Sequence, residues 1–356
     1  MVTGVSGTFL ISWAQSELDG LVGTDPQEIN VGSTWRWYGR AIRVDDPRDI
    51  LVLEGSEGLA DTHRRAARKL QRFLGDAGLF FGHGDALDPD QALFQFGFEL
   101  TDGANTYQVS FVDVEAGQRP MLLFIGAMPS PDSDLWVLSY SVPRQSAQTA
   151  QVGGGTICFA PLTKIKTPDG DRLVEDLAEG DRICTKDNGV QTIRWTASRQ
   201  ITGGRLTAMP HLRPIRLKTN ALAPGRPDED LIVSPDHRVL VRGTIAQALF
   251  NTDEVLVAAR DLVNDRTVRI DHRCREVGYI HLMLDQHQVV WANGVEVESF
   301  HPAAMNTDNI DPAQRTGLWE RFPDAQKNVF SYGEFARRTL SRSEAALLAY
   351  GADASH

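Results

Sequence analysis

The chain is poor in cysteine, has no long apolar run and carries no excess of basic charge. Its three cysteines, Cys158, Cys184 and Cys274, form no CxxC pair, which excludes a disulfide-stapled scaffold. Zinc needs ligand pairs at short spacing, and Cys274 with His272 is a poor match; no metal and no cofactor are expected. No stretch reaches the roughly 20 apolar residues of a spanning helix, so no membrane segment is expected. A formal net charge of −11 argues against nonspecific nucleic-acid binding and against a basic membrane anchor. Met1-Val2-Thr3-Gly4 opens without the basic region of a signal peptide. The plain reading is a reducing, cytoplasmic setting, although export without a cleaved signal would leave no trace in the sequence. The triplet Gly153-Gly154-Gly155 lacks the GxxxxGK[ST] pattern and a following helix, so it is no phosphate loop.

At 356 residues, 42% hydrophobic and 23% charged, the chain has the balance of a soluble globular protein of two or three domains. The expected fold class is α+β, in four parts. Residues 1–145 read as a mixed α and β domain. Strand patterns lie at Thr8–Ile11, Trp35–Val44, Ile50–Leu53, Leu93–Leu100, Tyr107–Val114, Met121–Ile125 and Leu135–Val142, with a helix running from His63 through Leu74. Trp35 and Trp37 fall on one side of a strand and are better read as core than as a ligand platform. The basic face of the helix reads as solvated, and His83 as a turn residue. Residues 146–157 are a polar, glycine-rich linker. Residues 158–300 are β-rich, with short strands between Gly, Pro and Asp turns. Residues 301–356 form a short helical appendage. There Gly333–Arg338 opens an amphipathic stretch, Ser341-Arg342-Ser343-Glu344 is a capping box, and Gly351 is a stop signal.

The chemistry concentrates in the third part. Cys158-Phe159-Ala160 follows the glycine run, and Thr167-Pro168-Asp169-Gly170 is a turn. Ser234-Pro235-Asp236-His237, Tyr279-Ile280-His281-Leu282 and Ala292-Asn293-Gly294-Val295 come next in order. Over residues 156–300 this set resembles the Hint domain shared by inteins and Hedgehog processing domains, of the bacterial intein-like type. The resemblance implies an all-β, horseshoe-like disk with its termini at the active centre. It also implies that the Cys158 thiol attacks the carbonyl of Ile157, converting an amide to a thioester. His237 matches the family's Thr-x-x-His histidine, which activates the scissile amide, and Ser234 stands for the threonine as its orienting hydroxyl. His281 is a second candidate acid or base. A histidine suits the task because its pKa lies near working pH, and the thiol needs help because few thiols are ionised at neutral pH. Cys184 and Cys274 read as core thiols.

The activity implied is single-turnover self-cleavage before Cys158, the thioester being captured by water or by a protein or small-molecule nucleophile. Two other readings stay open. One is a non-cleaving scaffold whose first domain binds a partner. The other is a cysteine hydrolase that turns over outside substrates. The pattern departs from the family at Leu162, where many relatives carry glycine, and between His287 and Ala292, where the spacing is one longer. At the downstream end Glu298 and Ser299 stand where inteins carry His and a cyclising Asn. Glutamate has no amide nitrogen to attack with, so asparagine-dependent splicing is not expected. Asn293-Gly294 reads as a turn and not as a cleavage point. Mass spectrometry of the reacted protein should therefore show two pieces, the second spanning Cys158 to His356. A piece beginning at Phe300 would contradict this reading.

Overall fold

A computed structural model describes residues 6–44, 96–112, 120–141, 157–304 and 310–353. The expected strand at Ile50–Leu53, the helix from His63, His83 and the glycine run of the linker lie outside these residues. The chain divides into two compact units. One draws its residues from 1–150, 243–253 and 341–356, and the other from 151–242 and 254–340.

The first unit is built on an antiparallel sheet. Its nine described strands run in the order Leu21–Val22, Ser16–Leu18, Thr34–Trp37, Leu135–Ser141, Gly97–Thr101, Thr106–Val112, Met121–Ala127, Ser6–Ser12 and Ile42–Arg43. Alternation along Thr34–Trp37 turns Trp35 and Trp37 inward, where both are buried with Trp13, Phe98, Phe111 and Phe124. Trp13 meets Phe98 edge to face at 6.3 Å between ring centroids. Core packing is thus their role. The capping box appears as expected at the start of helix Arg342–Asp353: Glu344 accepts from Ser341 N at 3.0 Å, and Ser341 Oγ accepts from Glu344 N at 3.2 Å. Ser12 Oγ also donates to Glu344 Oε1 at 2.7 Å.

The second unit is β-rich. One of its sheets, of nine strands, includes the hairpins Lys164–Thr167/Gly170–Leu173, Arg238–Arg242/Glu254–Ala258 and Val289–Ala292/Val295–Glu298. Beside it are the pair Trp195–Ile201/Val277–Met283 and the three-stranded set Leu231–Val233, Ile215–Leu217, Val268–Ile270. Asn293 and Gly294 have φ of +46° and +72°, the two successive positive values of a tight hairpin turn, so the dipeptide is a turn. Asn293 also ties this turn to its neighbours, accepting from Lys164 N and donating to Asp230 O.

The tail differs from expectation. The segment from Gly333 is not helical: Arg338–Thr339 is a strand parallel to Glu254–Ala258, and Arg337 pairs with Asp187 and Glu254. Helices lie instead at Pro312–Arg321 and Pro323–Lys327, the first capped by Asp311 and carrying proline at its start. Helix Arg342–Asp353 runs through Gly351, which is therefore no stop. Nor is 301–356 one appendage. Its residues up to 340 join the second unit because Ile310, Leu318, Ala325 and Tyr332 bury against Trp195, Met283 and Phe300.

Leu162, where the family pattern carries glycine, has φ +69° and is exposed. The left-handed region crowds a side chain, and the local compensation is a bond from Leu162 N–H to the Glu175 carboxylate at 2.9 Å. Leu162→Gly relieves about 1–2 kcal/mol of backbone strain and costs about 0.5–1 kcal/mol in unfolded-chain entropy. Thermal melting should show the glycine variant at least as stable as the parent. A clear loss of stability would show that the leucine side chain contributes more than its backbone costs.

Candidate functional site

Two strands position the cysteine. Phe159 forms a bridge to Val233 on one side and to Ile280 on the other. It exchanges both backbone hydrogen bonds with Ile280 at 2.9 Å, while Ala160 N donates to Ile232 O and Ser234 N to Cys158 O. This register sets Cys158 between the residues just after each partner, Ser234 and His281. The Phe159 ring is fully buried, which contributes about 1.5–3 kcal/mol to holding the strand there. Ser234-Pro235-Asp236-His237 then turns sharply, with His237 N donating to Ser234 O at 3.1 Å. Proline suits the second position of such a turn. The turn aims the His237 ring back at the cysteine, edge-on to Phe159 at 4.5 Å.

Cys158, Ser234, His237 and His281 are thus brought together and buried. Their contacts differ from those the resemblance implies. The peptide nitrogen Cys158 N donates to Ser234 Oγ at 2.8 Å. The preceding carbonyl oxygen, Ile157 O, lies 2.6 Å from His281 Nδ1. The thiol lies 3.3 Å from His281 Nδ1 and 3.2 Å from Nε2. His237 Nδ1 stands 3.0 Å from Cys158 O, the next carbonyl along the chain. Its Nε2 is buried and has no hydrogen-bond partner among the described residues.

A carbonyl oxygen only accepts, so His281 Nδ1 carries the hydrogen and Nε2 keeps its lone pair. Near-equal distances from the sulfur to both nitrogens place it off the axis of that lone pair, so proton transfer to Nε2 needs a small turn of the thiol. Burial pulls His281 down to about 4, against its bond to Ile157 O. Burial likewise pushes the Cys158 thiol well up, opposed by the positive charge of Arg199, and lowers His237. Thiol and His281 are both neutral at pH 7. Trp195 stacks on His281 at 6.0 Å between centroids and Phe300 meets its edge at 4.9 Å, fixing the ring.

His287 takes no part in this group. Its Nδ1 accepts from Ala336 N at 2.9 Å, which leaves Nε2 to donate to Glu298 at 3.2 Å. Glu298 is wholly buried and also bonds Arg238 N at 2.8 Å. Despite the burial, Arg238 and then His287 hold its carboxyl down at about 2. Ser299 Oγ accepts from Gln288 N at 3.0 Å. Trp195, Phe300 and Arg199 carry no motif and were not legible as site residues; the alternation of Trp195–Ile201 was the available signal. Among the described residues no group of three or more His, Cys, Asp or Glu side chains converges to hold a metal. No helix of the described residues is long and apolar enough to cross a membrane.

The buried imidazoles give the fold a pH dependence of definite sign. The pKa of His281 and of His301, lowered by burial to about 4, lies below the ordinary value of about 6.5. As pH falls from about 6.5 to 4 the unfolded chain takes up protons that the folded chain refuses, so stability drops, by about 1.4 kcal/mol per pH unit for each histidine. Glu298 adds a further loss as pH falls through about 4.5 toward 2. Denaturant titrations at pH 7, 6, 5 and 4 should show this decline, and His301→Asn should flatten it. A stability that is level across that range would show that these rings are solvated.

A family model described as Hint domain matches residues 157–304. The solution structure of a bacterial intein-like domain from Clostridium thermocellum is similar to the chain at 16% identity, covering 40% of this chain and 99% of that one, with a TM-score of 0.28. No curated protein matches.

Proposed function

We propose that residues 157–304, which a Hint-domain family model matches, cleave their own chain between Ile157 and Cys158 through a thioester. The observation that carries this is the single ring of His281 reaching both the thiol and the scissile carbonyl. Cys158 Sγ attacks the Ile157 carbonyl carbon, and its proton passes to His281 Nε2. Negative charge develops on Ile157 O, where the Nδ1 hydrogen already donates, so stabilisation is in place before the charge appears. His281 then returns the proton to the Cys158 nitrogen, the C–N bond breaks, and the acyl group rests on sulfur. Ser234 holds the nitrogen in line. His237 fixes the Cys158 carbonyl, which orients the residue bearing the nucleophile.

The acyl group leaves Cys158 Sγ when water, a thiol or an amine attacks the Ile157 carbonyl carbon, and the sulfur takes up the proton that the nucleophile loses. The downstream end takes no part, because Glu298 is committed to Arg238 and His287 and Ser299 Oγ to Gln288 N. The bond cut belongs to the chain itself, so the reaction is a single event in the life of the chain and not a turnover.

Incubating the purified chain with dithiothreitol or hydroxylamine at mildly alkaline pH should release a fragment ending at Ile157, and Cys158→Ala should abolish it. His281→Ala should slow release by about two to four orders of magnitude, the usual range for positioned acid–base help. His237→Ala should cost less, about tenfold, as loss of orientation alone. Release from Cys158→Ala at the same bond would falsify the mechanism, and the reverse ranking of the histidines would transfer the acid–base role to His237.

A further inference from the structure

We propose that a groove beside the nucleophile binds anions and receives the acyl acceptor, a thiol or amine that bears carboxylates. This rests on the thioester reading above and names the class of nucleophile that resolves it. The groove encloses about 970 Å³. Ala160, Ile232, Cys274 and Val277 line it, and the same four side chains pack in the cluster that buries Cys158. Groove and thiol therefore share one cluster of side chains.

The remaining wall is basic. Arg216, Arg269, Arg273 and Arg275 all line it. Arg216 is occupied by Asp230 at 3.2 Å and Asp271 at 2.7 Å. Arg269, Arg273 and Arg275 are exposed, and among the described residues no carboxylate pairs with them. Arg216 and Arg269 also stand directly opposite each other across antiparallel strands. Arg216 is balanced by its two carboxylates, so Arg269 is the charge of that pair left for an anion. Asp271 is already taken by Arg216, and Glu276 is the other acid on the lining. In a chain of net charge −11, positive charge is concentrated in a groove that shares side chains with the cluster around Cys158.

Guanidinium groups bind carboxylates through two parallel hydrogen bonds, and a concave basic site raises the local concentration of anions. A nucleophile held by its carboxylates is thereby kept close to the thioester. Its thiol or amine attacks the Ile157 carbonyl carbon and the bond to Cys158 Sγ breaks. The departing sulfur takes the proton that the acceptor loses, and residues 1–157 leave joined to the acceptor. No further reagent is consumed.

The test uses the full chain at low ionic strength with thiols of different charge, compared at equal thiolate concentration. Mercaptosuccinate should release the 1–157 fragment about tenfold faster than 2-mercaptoethanol, and cysteamine more slowly than either, with the spread shrinking in high salt. Replacing the exposed arginines together, Arg269→Gln with Arg273→Gln and Arg275→Gln, should lower the ratio of mercaptosuccinate to 2-mercaptoethanol rates about tenfold. Equal rates for the three thiols, or a ratio unchanged in the variant, would overturn the proposal. If no thiol releases the fragment, it is the thioester reading that fails, and the groove is then decided by titrating succinate into the Cys158→Ala chain. Saturable binding in the range of about 1–10 mM that the arginine variant loses supports the anion site, and its absence overturns it.

Discussion

The site depends on the pairing of one residue, Phe159, with two strands at once. Its backbone is bonded to Ile280 and bridged to Val233, so the residue before it has no freedom to choose its neighbours. A slip of one position would turn the Cys158 side chain to the opposite face, because strand side chains alternate. The ring keeps the register by being fully buried in the main core of the unit, among Val233, Val239 and Ile280. Reactive geometry is thereby a by-product of ordinary sheet packing. Ser234 and His281 lie near the cysteine because each is one step beyond the residue that Phe159 holds.

That packing also sets the chemical problem. Excluding water makes ionising either partner costly, which is why the thiol is pushed up and His281 pulled down. An ion pair of thiolate and imidazolium is therefore not the resting state. Ile157 is buried with Trp195, Met283, Phe300 and the tail residues Leu318 and Tyr332, so its carbonyl carbon is shielded from bulk water on that side.

Much of this was legible in the sequence wherever local chemistry decides. Cys158 follows glycines, Ser234-Pro235-Asp236-His237 is a turn with a histidine at its end, and Asn293-Gly294 is a hairpin turn; each follows from residue type and spacing of a few positions. Which atoms each histidine meets was not legible. The resemblance implied His237 at the amide before Cys158 and left His281 second, whereas His281 lies against the thiol and Ile157 O and His237 against Cys158 O. That difference depends on pairing between residues more than 120 positions apart, which no local pattern encodes. The tail was misread for the same reason. Phe335 stacks on His301 at 4.2 Å, and that tertiary contact holds 333–337 out of the helix its composition suggests.

Residues 298 and 299 are both held by buried hydrogen bonds. Glu298 lies at the centre of a buried set: Arg238 bonds it through backbone and side chain, His287 donates to it, and Ala336 N in turn fixes His287. Removing one member of such a buried pair leaves an uncompensated charge and costs about 3–5 kcal/mol. A carboxylate so held cannot also swing toward the bond after Ser299. Cyclisation at that position needs a neutral amide free to bend onto its own carbonyl, and the structure uses the place for a charge that must stay still. The same set anchors the strand Val295–Glu298, just before Phe300, whose ring meets the edge of His281.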